Sequence, residues 1–344
     1  MSEAGKILRI DPPAAIPGGE LAIECSGFDT SDLRSCAAQF DGGQGWLVAA
    51  SPRRVLALVP DVGYSGEIEV HLVSRSGRTP VAHLMVGTKL ADDLHLVANP
   101  AFDPDDGSLY VTRSGSRGQR MANSLLRLNA AGELVSVTDE IINPTGLAFD
   151  RDGQLYVTSR LDGTVYRVSV FGELMPFASD LGVATGLAFD RRGTLYVGDR
   201  TGTIYRVERT GAVESWARLE PSVAAYHLAF GPDDALYVTG PTVSSYEVIL
   251  RLDERGKAEV FYRGLGRPQG LAFDREGNLY VAASLHGRRG IVRIRPDGSE
   301  AEMFVAGMNV VGLAFGPEGE MVVATSDAVY RLALGIRGLL LDRS

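Results

Sequence analysis

The sequence has very few cysteines and no long apolar run. Cys25 and Cys36 are the only cysteines among 344 residues, and without a Cys-x-x-Cys motif or a Cys/His cluster a structural zinc site is not expected. The pattern favours two buried thiols, with a disulfide as the alternative. No run of eighteen apolar residues occurs, so we expect no membrane insertion. The first residues lack a signal-peptide pattern, so a cytoplasmic location is the default expectation, unless an export signal has been removed.

An excess of positive charge is also missing. The chain has 34 Lys and Arg against 43 Asp and Glu, a formal net charge of −9. Because a nucleic-acid-binding protein needs a basic surface for the phosphates, we expect no nucleic-acid partner. No Gly-Lys-Ser/Thr phosphate loop, Gly-x-Ser-x-Gly elbow or His-Glu-x-x-His pair is present, which excludes the enzyme classes that depend on those motifs.

What the sequence does have is a repeated unit. Residues 146–157 read GLAFDRDGQLYV, residues 186–197 GLAFDRRGTLYV and residues 270–281 GLAFDREGNLYV, with looser copies at 100–111, 227–238 and 312–323. The phenylalanines of these copies recur every 40 to 47 residues. Each unit reads as two short strands and a tight turn, followed by two more strands. This period is typical of a β-propeller blade, so the sequence predicts an all-β fold with a six-bladed propeller.

Two features of the repeat concern structure rather than chemistry. The third strand of every copy contains an arginine, for which we expect a contact between blades. The outer strand that closes the last blade has two candidates, residues 338–341 and residues 86–90, and the sequence leaves both open.

The first ninety residues carry a different pattern of short alternating strands with Gly/Pro turns. Ile10 and Pro12, then Gly18-Gly19 with Leu21 and Ile23, and later Gly27-Phe28, resemble the opening of an IPT/TIG domain. That resemblance implies an immunoglobulin-like β-sandwich that serves as a spacer or interaction module. We therefore expect two domains, an IPT/TIG-like sandwich at 1–88 and the propeller at 89–344.

The repeat region resembles NHL repeats and, more broadly, the gluconolactonase/senescence-marker propellers. In such lactonases a divalent cation is held by Glu, Asn and Asp side chains where the first strands begin. The corresponding residues here are Asn99 or Pro100, Thr145 and Gln269, and none is a carboxylate. A hard cation needs anionic oxygens. We therefore expect no cofactor and no metal, with a cation such as calcium only if the chain is a lactonase after all.

Strand alternation places the starts of the first strands and the loops after the second strands on one face. The short Asp-x-x-Gly turns lie on the opposite face. Because the longer and more varied loops usually carry a site, we predict binding on the loop face. The predicted binding residues are Asn99, Asn143, Thr145, Arg160, Thr185, Asp199, Arg200, Tyr226, His227, Gln269, His286 and Arg288. Other loop residues expected on this face include Arg117 and Tyr246.

Three functions compete. A non-catalytic protein that binds a protein, peptide, carbohydrate or small acidic ligand is favoured, because Arg side chains hold carboxylates well and the channel ring is mostly neutral. A metal-dependent lactonase is disfavoured, because this sequence lacks the carboxylates that would hold the cation. A lyase or metal-free hydrolase would use His227, His286 and Asp199, since histidine transfers protons near neutral pH. We expect a monomer, and we favour binding over enzymatic activity.

Overall fold

The computed structural model describes residues 5–64, 66–115, 119–240 and 247–339, and in these ranges the protein is all-β. The only helical segment there is a short 3-10 turn at Leu33–Ser35. In the same part of the chain no helix is long and apolar enough to cross a membrane.

Nine strands lie between Lys6 and Val86. They are β1 (Lys6–Asp11), β2 (Ala14–Ala15), β3 (Glu20–Ser26), β4 (Ala37–Phe40), β5 (Gly43–Ala50), β6 (Arg54–Leu58), β7 (Gly66–Ser74), β8 (Gly77–Arg78) and β9 (Ala82–Val86). Their inward-facing residues, such as Leu21, Ile23 and Leu72, form one core. Cys25 and Cys36 belong to that core as two free thiols, and burial raises the pKa of each.

The repeats form four-stranded antiparallel units, each with the Leu-Ala-Phe segment or its variant in the first strand. The first blade is β11 (Ala101–Phe102), β12 (Leu109–Thr112), β13 (Leu125–Leu128) and β14 (Leu134–Thr138). The second is β15 (Pro144–Phe149), β16 (Leu155–Ser159), β17 (Thr164–Val168) and β18 (Leu174–Ala178). The third is β19 (Ala184–Phe189), β20 (Leu195–Asp199), β21 (Thr203–Val207) and β22 (Val213–Arg218). The fourth is β23 (His227–Phe230), β24 (Leu236–Thr239), β25 (Val248–Leu252) and β26 (Ala258–Arg263).

Two units complete the ring. The fifth repeat is β27 (Leu271–Phe273), β28 (Leu279–Leu285), β29 (Arg288–Ile294) and β30 (Ala301–Ala306). The closing blade is β31 (Val310–Phe315), β32 (Met321–Thr325) and β33 (Val329–Leu332), with β10 (Thr88–Ala91) as its outer strand. The first strands contact one another around a central channel, so the β-propeller prediction is confirmed. Of the two candidates for closing the ring, the segment that begins at Thr88 is the one that pairs with β33, whereas Gly338 bridges to Asp274 and Leu340 and Leu341 lie outside the described residues.

The prediction of six blades beside a separate sandwich is wrong. Only five four-stranded sheets stand by themselves in the described chain, because the fifth repeat belongs to a 13-stranded sheet with β1–β9. The link is β2, whose Ala14 and Ala15 pair in parallel with both β9 and β30. The N-terminal strands therefore continue a propeller sheet, and a separate IPT/TIG or immunoglobulin-like domain is not supported. A domain boundary between residues 88 and 89 stays a prediction.

Aromatic contacts join the blades. A tyrosine from the second strand of one unit meets the phenylalanine of the next first strand edge to face, a favourable arrangement of two rings. The ring centroids are 4.7 to 5.4 Å apart in the pairs Tyr110–Phe149, Tyr156–Phe189, Tyr196–Phe230, Tyr237–Phe273 and Tyr280–Phe315. The recurring arginines act within their own blades instead. Arg167 lies over Phe177 and Arg251 pairs with Asp233, so the expected arginine contact between blades is wrong for these residues.

Candidate functional site

The threonines predicted on the loop face are structural. Thr145 and Thr185 are fully buried. Their carbonyls accept hydrogen bonds from Thr112 and Thr158, which follow Leu-Tyr-Val in the second strand of the preceding blade, at 2.9 and 2.5 Å. Thr239 donates to the carbonyl of Gln269 in the same way. These bonds fasten the first blade to the second, the second to the third and the fourth to the fifth, and Thr145 and Thr185 are not accessible to a ligand.

Asn99 closes the ring. Its Nδ2 donates to the carbonyl of Leu271 at 2.9 Å, and its Oδ1 accepts from the backbone N–H of Leu313 at 3.1 Å. The amide lies where Gly270 and Gly312 leave room, since a Cβ at either glycine would collide with its oxygen. Asn99 therefore clamps three first strands, and both ends of its side chain are already occupied.

Other predicted residues also have structural roles. The oxygens of buried Asp199 accept from the N–H groups of Val183 and Thr201 and from the Thr201 hydroxyl. Tyr226 donates its hydroxyl to the carbonyl of Glu220. Asn143 is buried in a left-handed backbone conformation with φ of 52°.

The remaining predicted residues are spread over the loop face. His286 is exposed at the tip of the β28–β29 hairpin, and Arg288 pairs with Asp11 at 2.7 Å. Gln269 lines a small cavity of about 170 Å³ with Ser284 and Arg289. The structure thus does not gather the twelve predicted residues into one site. Arg117 and Tyr246 lie outside the described residues.

His227 differs from the predicted residues above, because it lines the central channel and has no structural hydrogen bond to a described residue. It is the first residue of β23, is only 4% exposed and lines the central channel. Its imidazole makes no hydrogen bond or ion pair with any described residue. Burial alone lowers the pKa of His227 to about 4, so the ring is neutral near pH 7. A neutral, unpartnered imidazole in a cavity can accept a proton from a bound molecule.

The channel contains a cavity of about 450 Å³, large enough for a small organic ligand. Its walls are the Leu, Ala and Phe residues of the first strands, so they are largely apolar. Asn99 and His227 line it at the starts of their first strands. Arg151, Arg191, Pro104 and Pro317, from the turns that follow these strands, line the other end. The cavity therefore reaches the turn face, whereas the sequence-based prediction put the site on the loop face.

A divalent cation does not fit these residues. Among the described residues no group of three His, Cys, Asp or Glu side chains converges to hold a metal. The carboxylates that line the cavity, Asp103 and Asp150, cap their own turns by accepting backbone N–H bonds from Asp105 and Asp152. With Asn99 and Thr145 committed to structural bonds, the starts of the first strands offer no anionic ligand set.

The sequence-based prediction did not use the position that His227 and Asn99 occupy within the repeat. His227 and Asn99 stand where the other copies of the repeat have Gly146, Gly186, Gly270 and Gly312. Those glycines are required, because a Cβ at Gly146 or Gly186 would strike the backbone of the next blade. A polar side chain at a position of otherwise obligatory glycine is a signal that an alignment of the repeats contains.

Comparisons with known proteins agree with this architecture. The model of the SMP-30/Gluconolactonase/LRE-like region matches residues 18–242, more than half of the chain. The fold is similar to a calcium-binding protein, regucalcin, of Agrobacterium tumefaciens, with 22% identity, a TM-score of 0.59 and coverage of 74% of this chain and 96% of that one. A gluconolactonase of Xanthomonas campestris is 18% identical, with a TM-score of 0.58 and coverage of 72% and 88%.

A third similar structure extends over the N-terminal strands as well. An auxiliary nutrient binding protein of Bacteroides thetaiotaomicron is 14% identical, with a TM-score of 0.56, and covers 96% of this chain and 97% of its own. No curated protein matches the sequence. The comparisons therefore support the gluconolactonase part of the resemblance drawn from the sequence, and they give no support for NHL repeats or an IPT/TIG domain.

Proposed function

Because the chain belongs to the SMP-30/gluconolactonase/LRE-like family, we propose that it is a lactonase-like hydrolase that works in the central channel without a metal ion. The observation that carries this proposal is His227, a buried and neutral imidazole that has no partner among the described residues and lines a ligand-sized cavity. The substrate class is a ring ester. The largely apolar walls favour a lactone with apolar substituents over one that carries several hydroxyl groups, which would lose hydrogen bonds to water there.

The reaction needs one water molecule and one proton acceptor. His227 takes a proton from the water as its oxygen bonds to the lactone carbonyl carbon. The ring C–O bond then breaks, and His227 returns the proton to the leaving alkoxide. The product is a hydroxy acid, and the imidazole ends neutral as it began.

Binding without turnover is the second candidate. It is favoured by the absence of any acidic group that orients His227 in the described chain, since catalytic histidines are usually held by a third group. A pKa of about 4 also makes the imidazole a weak base. In this role the apolar cavity holds the ligand and His227 donates or accepts one hydrogen bond.

A panel of alkyl-substituted and sugar lactones separates the two functions. We expect the wild-type protein to hydrolyse an apolar lactone equally fast with EDTA and with added calcium, and His227→Gln to lose at least about 100-fold in kcat/KM. Saturable binding of the same lactones by calorimetry, without hydrolysis, would establish the binding role instead. Activity that EDTA abolishes would refute the metal-free mechanism.

A further inference from the structure

One position of the repeat on the loop face is occupied by two arginines that form no ion pair with any described residue. In five of the repeat units, the residue three positions after the valine of Leu-Tyr-Val, or of its variant, donates its backbone N–H to a carbonyl in the loop before that unit's first strand. These bonds are Ser114 to His95, Arg160 to Asn143, Arg200 to Val183, Ser284 to Gly266 and Ser326 to Asn309, at 2.8 to 3.3 Å. The five positions are thus structurally equivalent, and the second and third blades have arginine where the others have serine.

No carboxylate in the described part of the chain forms an ion pair with either arginine. Arg160 makes no side-chain hydrogen bond or ion pair in the described chain, and Arg200 donates only to the carbonyl of Val223 at 3.0 Å. Asp199, next to Arg200 in sequence, is buried and its oxygens are taken by Val183 and Thr201. Both arginines are half-buried. They occupy equivalent positions of neighbouring blades on the loop face, and no described carboxylate pairs with them.

The pair also repels itself. Burial lowers the pKa of Arg160, and the positive charge of Arg200 at the equivalent position of the next blade lowers it further. Two like charges in a partly desolvated position destabilise the free protein, and an anion between them would offset that cost. The serines of the equivalent positions show that the fold itself does not need arginine there.

We propose that Arg160 and Arg200 form an oxyanion-binding site on the loop face, between the second and third blades, for a small molecule with a carboxylate or phosphate group. A guanidinium presents two parallel N–H donors that match the two oxygens of such a group. Neither arginine lines the cavity that contains His227. The site is therefore separate from the proposed hydrolase channel, and it stands or falls independently of that activity.

Calorimetric titration with sodium succinate and with sodium phosphate at low ionic strength tests this site. We expect the wild-type protein to bind at least one of them, and the stronger of the two identifies the oxyanion. Arg160→Gln and Arg200→Gln should each weaken binding at least 10-fold. The matched control is Arg167→Gln, because Arg167 packs over Phe177 on the outer strands. No binding by the wild type, or equal affinity in all variants, overturns the proposal.

Thermal unfolding gives a second test, because the substitution that weakens anion binding should stabilise the protein without anion. Without anion, Arg160→Gln should raise the Tm by about 1–2 °C, because it relieves a repelled and desolvated charge. With saturating anion the wild type should gain stability and the variant should not. A lower Tm for the variant without anion would mean that Arg160 has a structural role, and it would overturn the proposal.

Discussion

Asn99 and His227 place polar side chains on the channel at a position where the other copies of the repeat have glycine. The two residues have different fates. Asn99 bonds to Leu271 and Leu313 with both ends of its amide, whereas His227 has no partner among the described residues. From sequence both were predicted as binding residues, because nothing in a linear pattern shows which polar side chain is already satisfied. The hydrogen bonds of the fold decide this.

Asn99→Ala tests the clamp. The change would leave the backbone N–H of Leu313 and the carbonyl of Leu271 without partners beside the buried channel wall, and we expect it to lower the free energy of unfolding by about 1–3 kcal/mol. The control is Asn129→Ala, since the Asn129 amide accepts backbone bonds in an exposed turn where water can replace it. Equal losses in denaturant titrations of the two variants would contradict the clamp.

The burial of His227 should also make the stability of the protein depend on pH. Its pKa is about 4 in the folded protein and about 6.5 when unfolded, so the unfolded state binds the extra proton between these values. The stabilisation that comes from a neutral, buried His227 is fully present above pH 6.5. As the pH falls towards 4, the free energy of unfolding decreases by up to about 3 kcal/mol. Denaturation of His227→Gln at several pH values should show a shallower decline than the wild type. Parallel curves would mean that His227 titrates normally.

At the scale of the elements, the repeat predicted its own turns and inner strands well. The Asp-Arg-Asp-Gly segment forms the expected turn, with Asp150 accepting the N–H groups of Asp152 and Gln154. The loop-face site was not predictable in the same way. Whether Thr145 presents its side chain to the channel or only its carbonyl to Thr112 depends on the distance between blades, which no single repeat contains.

The glycines of the first strands set that distance. A Cβ at Gly186 would lie 2.3 Å from the carbonyl oxygen of Tyr226 and 3.0 Å from the Cα of His227, and both are backbone atoms. We expect Gly186→Ala to cost about 1–3 kcal/mol, because the third and fourth blades must separate. Gly266→Ala is the control, since the atoms nearest its Cβ would all belong to side chains, the closest being that of Ser284 at 3.2 Å. If thermal denaturation shows similar stabilities for the two variants, the tight blade contact is wrong.

At the scale of the whole molecule, the N-terminal strands and the propeller share one sheet through β2. The sequence could not reveal this, because β2 is only two alanines long and carries no strand pattern of its own. In sequence, the N-terminal strands resemble an immunoglobulin-like domain, because alternating strands and Gly/Pro turns look alike in a separate sandwich and in an extension of a propeller sheet. The pairing of Thr88–Ala91 with Val329–Leu332 adds a second tie between distant parts of the chain.

These ties predict cooperative unfolding. Because the N-terminal core includes Ala306 from β30, disruption of one part should expose the other. We expect a single calorimetric transition in which the calorimetric and van't Hoff enthalpies agree. Two resolved transitions, one of them assignable to the first ninety residues by limited proteolysis, would show that the two parts are independent.

The central claim is that a neutral His227 accepts a proton from water in a metal-free channel. The most direct test is the pH dependence of kcat/KM for lactone hydrolysis in EDTA, for the wild type and for His227→Gln. With His227 as the base, we expect wild-type activity to be level above about pH 5 and to fall on the acidic side with an apparent pKa of about 4, as the imidazole becomes protonated. We expect the variant to be nearly inactive at every pH. Full activity of the variant, or the same acidic decline in both proteins, would contradict it.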